Sequence, residues 1–208
     1  MRARSSPRPP VVAVMGTFGE GNTGDDVMLL ATVAGVRARR TDARFVIFTC
    51  DRDYTERLLE REGVPLGLCE CVYTGRYGMR EPGRRFPRSL AWTVENLRAI
   101  ARADILLIGP GTQLQDVTRR FRVLFFLARG VLAWLLGTPY AFFGIGYWKV
   151  SGRLSSWVLR WTGRRAAFIS TRDRASARAL EAHGIPPAKI ISLADVSFIC
   201  VRSAEEAS

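Results

Sequence analysis

Apolar residues come along this chain in short unbroken runs, and the stretches between them carry a helical period. Runs such as Val11-Val12-Ala13-Val14-Met15 and Ile105-Leu106-Leu107-Ile108 are too short for helices and do not alternate. They fit strands covered on both faces, as in a parallel sheet. Strands are predicted at 10–15, 45–49, 66–72, 103–108, 139–143, 166–170 and 189–192. Helices are predicted from Val27 to about Arg40 (Val27, Leu30, Ala31, Ala34 and Ala38 inward), then at 53–62, 89–102, after Arg119, at 154–161, and from Asp173 to a stop at His183-Gly184. Strand and helix alternate throughout. The predicted class is therefore α/β: an open, mostly parallel sheet with helices on both faces and a ligand crevice beyond the strand C-termini.

One apolar stretch needs a membrane test. Between Gly130 and Trp148 no residue is charged, close to the length of a spanning helix. Gly137-Thr138-Pro139 divides it, so a core helix followed by a core strand is the expectation.

Glycine-rich segments follow three of the predicted strands. Gly16 to Asp26 leads into the first helix, with Asp25 or Asp26 as its cap. Gly109 to Asp116 follows the fourth strand, and Gly144-Ile145-Gly146 the fifth; all are expected to be loops. Glycine lets backbone approach a ligand closely, and amides at a helix start favour an anion. Beside these, Arg172 stands directly after one strand and before one helix. Its guanidinium can fork onto a carboxylate or phosphate, or pair with Asp173 or Asp195. Asn22 fits a turn or a substrate hydroxyl, Asp25 a general base or a helix-end charge, and Gln113 and Asp116 sugar hydroxyls or a helix cap. His183, the single histidine, sits where a helix C-terminal dipole partner would.

Charge and cysteine content narrow the function classes. The net charge of +12, mostly arginine, favours acidic partners such as phosphorylated metabolites or anionic lipid. No nucleic-acid-binding motif accompanies it, so nucleic acid is not an expected partner. Arg76, Arg80, Arg84, Arg85 and Arg88, interleaved with aromatics, suggest a surface loop over 74–88 that either contacts anions or is simply solvated. Cys69-Glu70-Cys71 is not a C-x-x-C pair, and no metal site is predicted. No P-loop lysine, zincin helix or Ser-His-Asp set is present, and the first loop does not match the dinucleotide fingerprint. No signal peptide is recognisable, which with the cysteines suggests a cytoplasmic protein. A basic arm at 1–9, one Rossmann-like domain at 10–202 and a frayed tail at 203–208 are expected.

Taken in order, these segments resemble the polysaccharide pyruvyl transferases. Gly21-Asn22-Thr23-Gly24-Asp25 is similar to the family's G-N-x-G-D. Asp104 to Gly111, with Gln115-Asp116 following, is similar to D-x-x-x-x-G-G-G and its Q-D, with Pro110 in place of one glycine. Gly144-Ile145-Gly146, then Ser170-Thr171-Arg172-Asp173-x-x-Ser176, is similar to G-x-G and S-x-R-D-x-x-S, and Asp195 to a closing aspartate. The resemblance implies the N-terminal half of a GT-B-like fold. It implies transfer of a pyruvyl ketal from phosphoenolpyruvate, as donor substrate rather than cofactor, to a sugar of a cell-surface polysaccharide or lipid-linked glycan. By the same resemblance Asp25 and Arg172 are the catalytic candidates. Gly21, Asn22, Gly24, Gly109, Gly111, Thr112, Gln113, Gly144, Gly146, Arg172 and Asp173 are the substrate-binding candidates. The family's second domain is not expected within these residues; it would come from a separate chain, or the site would form in a homo-oligomer. Peripheral contact with the inner membrane face is a further expectation. Two other readings remain open: half of a GT-B glycosyltransferase that binds a nucleotide-sugar, and a non-catalytic interaction module.

Overall fold

The computed structural model describes residues 8–74, 86–115 and 120–197. Asp116, most of the basic arm, most of the arginine-rich loop and the C-terminal tail lie outside the described residues. The elements in chain order are β1 (Val11–Phe18), α1 (Thr23–Arg37), β2 (Arg44–Thr49), α2 (Arg52–Arg61), β3 (Cys69–Tyr73), α3 (Phe86–Arg102), β4 (Ile105–Ile108), β5 (Gly111–Gln115), α4 (Arg120–Leu135), β6 (Tyr140–Lys149), α5 (Arg153–Arg165), β7 (Ile169–Thr171), α6 (Arg174–Ala182) and β8 (Ile190–Ser192). Every strand pairing is parallel, in the order β3-β2-β1-β4-β6-β7-β8, with β5 pairing β6 beside β4. The order reverses between β1 and β4. In open sheets of this kind the crevice outside the strand C-termini at such a reversal is where ligands bind.

Burial follows the two-residue period of the strands. Val12, Val14, Phe45, Ile47 and Leu107 face α1 and α2 through Leu29, Val33 and Leu59. Ala13, Met15, Val46, Phe48, Leu106 and Ile108 face the other core, with residues of α3, α4, α5 and α6. Each large apolar side chain so buried contributes about 2 kcal/mol. The uncharged stretch 130–148 divides as expected into the end of α4 and most of β6. Among the described residues no helix is long and apolar enough to cross a membrane.

Several predicted boundaries move. The first strand runs on through Gly16 to Phe18, which leaves a connection of four residues, 19–22, before α1. Beyond its first turn, where Asp25 and Asp26 are buried, the buried positions of α1 are Leu29, Ala31, Thr32 and Val33, whereas Ala34 is exposed. Val27-Met28-Leu29-Leu30 is apolar all round, so periodicity could not choose its face. The third strand is shorter, because Leu66–Leu68 forms a 3-10 turn. Part of the predicted loop 74–88 is the start of α3, whose Pro87 falls in the first turn, where a missing N–H costs no helical bond.

The main correction concerns two predicted loops. Gly111–Gln115 and Gly144-Ile145-Gly146 are not loops but lie in the paired strands β5 and β6, with Gly109-Pro110 as the short joint before β5. β6 continues well past Phe143, and its second half offers ladder groups that β5 takes up, Gly111 opposite Ile145 and Leu114 opposite Tyr147. The chain changes pairing at Gly109, whose φ is 124° and whose amide donates to the Met15 carbonyl at 2.8 Å. A Cβ there would stand 2.0 Å from the Phe143 carbonyl oxygen. Gly109→Ala is therefore expected to cost about 3 kcal/mol by urea denaturation, from steric conflict plus a backbone shape that L-residues avoid. Gly63→Ala, at φ 70° with open space around it, is expected to cost only about 1 kcal/mol.

Candidate functional site

The start of α1 forms one part of the sheet's C-terminal edge. Asn22, not Asp25 or Asp26, is its N-cap: the side-chain oxygen accepts from the Gly24 amide at 3.1 Å. The Asn22 amide nitrogen in turn donates to Asp25 at 2.9 Å. Asp25 and Asp26 are both buried, a placement that the unpaired amides and dipole of the helix start favour. Asp26 accepts from the Tyr54 hydroxyl, which joins α1 to the first turn of α2. That hydrogen bond, with some burial, pushes the Tyr54 phenol above its ordinary 10.0. Asp51 caps α2 through the Tyr54 amide at 2.9 Å.

Gly109, Gly144 and Gly146 mark close backbone approaches nearby. At Gly144 φ is 61°, and a Cβ would meet Val196 at 2.7 Å and Pro110 at 2.9 Å. The Gly144 amide donates to the Ser170 hydroxyl at 2.8 Å. Gly111, Ile145, Thr171 and Ser192 stand in one row across β5, β6, β7 and β8. Thr112 and Gln113 fall on β5, and their side chains lie outside the described set.

Arg172 follows that row. Its amide donates to the Ile145 carbonyl at 3.2 Å. Its guanidinium packs against Gly146, so close that a Cβ on Gly146 would be 2.6 Å from Nε. Two carboxylates approach it: Asp173 at 3.9 Å from Nε and Asp195 at 3.8 Å from a terminal nitrogen. Both pairs are longer than the roughly 2.8 Å of a charge-assisted hydrogen bond. Asp195 accepts from the Ser197 amide at 3.0 Å and its hydroxyl at 2.9 Å, which turns the carboxylate toward its own turn.

Asp173 is the N-cap of α6, as expected, and accepts from the Ser176 amide at 2.6 Å. Ser176 does double duty. Its hydroxyl donates to Asp173 at 2.8 Å and accepts from the Tyr147 amide of β6 at 2.9 Å. Tyr147 then meets His183 Nε2 through its hydroxyl at 2.7 Å, and that hydroxyl also takes the Val150 amide at 3.0 Å. His183 follows the last residue of α6 and acts as its C-cap, so it closes a loop of contacts from α6 back to β6. Burial raises the Asp173 carboxyl, but the Ser176 donors and Arg172 outweigh it and hold the group below its ordinary 3.8. Burial lowers His183 below 6.5. Burial also raises the Cys69 thiol to about 11 and Cys71 to about 12, so both stay protonated and poorly nucleophilic.

Two clusters result. Asn22, Gly24 and Asp25 form one; Gly144, Gly146, Arg172 and Asp173 form the other, with Gly109 and Gly111 on the strands between. With β1 and β7 three places apart in the order, about 14 Å separates their strand axes. The structure brings no direct contact between Asp25 and Arg172 among the described residues. Tyr54 and Tyr147 went unrecognised in the sequence. Neither carries a local signal: each gains its role from a pairing 28 or 36 positions away.

The sequence profile of the polysaccharide pyruvyl transferase family matches residues 22–205. No curated protein matches the chain. Among solved structures, Anabaena HepE in complex with UDP and glucose is similar at TM-score 0.57 and 11% identity, over 89% of this chain and 44% of that one. A UDP-N-acetylglucosamine 2-epimerase from Rickettsia bellii is similar at TM-score 0.56 and 11% identity, over 96% and 48%. A Rickettsia africae glycosyltransferase is similar at TM-score 0.50 and 10% identity, over 91% and 43%. This chain thus spans under half the length of these structures. At such identities the likeness is one of fold, and it is to GT-B-like proteins.

Two outcomes are expected of this network. Ser176→Ala leaves the Tyr147 amide unpaired and should cost about 2 kcal/mol by urea denaturation. His183 is held neutral in the folded state, so the unfolded chain takes up its proton first as pH falls through about 6.5. Stability should therefore decline from pH 7 to pH 5, and His183→Gln should flatten that part of the Tm profile. A further decline belongs to Asp173, whose contribution is full above 3.8 and is lost as pH falls through its lower folded value.

Proposed function

This chain belongs to the polysaccharide pyruvyl transferase family, and we propose that it forms one wall of a site that transfers a pyruvyl ketal from phosphoenolpyruvate to a glycan. Family and fold together support a polysaccharide-modifying transferase. The observation that carries the finer reading is the seating of Arg172. A guanidinium packed against glycine at the C-terminal edge of a parallel sheet, directly after a strand and directly before a helix, suits a small dianion.

The reaction needs a cation for the donor's carboxylate and phosphate, an acid for the methylene carbon and a base for the attacking hydroxyl. One sugar hydroxyl adds to the central carbon as the methylene gains a proton. The second displaces inorganic phosphate to close the ketal, and its proton leaves with the phosphate. In this reading Arg172 holds the donor, with Gly144 and Gly146 admitting it close to β6. Asn22 and Asp25 meet the acceptor, with Asp25 as base, and Gly21 and Gly24 give room beside them. Gly109, Gly111, Thr112 and Gln113 line the strand between. The remaining cations and the acid come from a second segment facing this wall.

Phosphoenolpyruvate should raise the Tm of the chain, and Arg172→Ala should abolish the rise. Arg172→Lys should restore little of it, since an ammonium lacks the planar fork. Ketal formation on a lipid-linked or soluble glycan, assayed with the facing segment supplied, checks the full reaction. A Tm response to UDP-sugars and none to phosphoenolpyruvate would replace this reading with a glycosyltransferase half.

A further inference from the structure

The charge of this chain is unevenly placed. Between Asp116 and Asp173 there is no acidic residue, while the same 56 positions hold nine arginines and one lysine. That stretch supplies α4, β6 and α5. Its +10 compares with +12 for the whole chain, so the rest of the molecule is close to neutral.

The outward face of α5 adds a second feature. Ser155, Leu159, Thr162 and Gly163 are its buried positions. The opposite side of a helix on a protein surface is ordinarily polar. Here Trp157 points straight outward and is 61% exposed, as is Leu154. Leu154, Trp157 and Trp161 fall on one flank of that face and Arg153, Arg160 and Arg164 on the other. Trp161 meets Trp134 of α4 edge to face at 5.1 Å, and the Arg165 guanidinium lies 4.0 Å from the Trp161 ring centre. Leu135, next to Trp134, is 64% exposed. None of the ion pairs among the described residues involves Arg153, Arg160, Arg164 or Arg165.

We propose that the α4–α5 face, centred on Trp157 and Trp134 and flanked by Arg153, Arg160 and Arg164, docks on an anionic lipid surface. Indole rings favour the boundary between headgroups and acyl chains. Arginine stems can lie along that boundary while their heads reach phosphate. A protein partner would need an acidic, aromatic-lined surface to match this face, whereas a leaflet rich in anionic phospholipid offers both properties without specific shape. The docking stands apart from the chemistry: it would hold whether or not phosphoenolpyruvate is the donor.

The test uses the full chain and vesicles of phosphatidylcholine with or without phosphatidylglycerol, read by flotation and by tryptophan fluorescence. Binding is expected only with phosphatidylglycerol, with a blue shift, quenching by brominated acyl chains, and loss as salt rises to about 0.5 M. Arg153→Ala/Arg160→Ala/Arg164→Ala should weaken partitioning about 100-fold. Trp157→Glu should abolish quenching while circular dichroism and Tm stay unchanged. The arginine variant, whose positions are exposed, keeps the test open if the tryptophan variant misfolds. No binding to the anionic vesicles overturns the proposal. So does binding that neither variant weakens, which would assign it to other basic residues, and so does a vesicle-indifferent dimer that Trp157→Glu dissociates.

Discussion

The Phe143 carbonyl and Gly109 come so close that no side chain fits between them, and the site is built around that contact. It lets the chain leave β4 and re-enter the sheet as β5 without a spanning loop. On the side away from β7, β6 thereby has β4 as neighbour for its first half and β5 for its second. That change of partner adds Gly111 to the row that Ile145, Thr171 and Ser192 form, and Arg172 follows directly after the row. Disturbing the joint would move the cation without touching it.

The second half of β6 needs holding as well, because a glycine at positive φ gives it little stiffness of its own. β7 and α6 together supply the hold. Ser170 and Ser176 take amides of β6 near its turn, and His183 takes the Tyr147 hydroxyl from beyond the helix C-terminus. The segment Ser170 to Ser176 is thus a clamp whose serines and aspartate serve geometry, which leaves the arginine as the member that faces the edge. Such division of labour is common where a charged group must be fixed against its own flexibility.

Much of this was legible in the chain. Short apolar runs gave the parallel sheet, and the Asp173 cap and the glycine stop after His183 gave α6 nearly to the residue. The two misread loops share one physical origin. The stretches after Gly109-Pro110 and around Gly144-Ile145-Gly146 carry the local signature of loops, yet as β5 and β6 they pair with each other. A partner 34 residues away decides their structure, so no window along the sequence can contain the reason. The buried face of α1 failed differently, since a helix apolar on every side has no period to read. Tyr54 and Tyr147 are long-range in the same way as the strands. The candidate site residues were legible as a set only because they recur in order, and their three-dimensional grouping into two clusters was not.

The forked pairing of β6 also bears on how a ligand would be received. A loop that closes over its ligand gives up conformational freedom when it does so, and part of the interaction energy offsets that loss. A floor made of laddered strand has already given up that freedom during folding. Binding against β5 and β6 would therefore spend little on ordering this wall, and whatever adjustment accompanies capture would fall to the groups that face it.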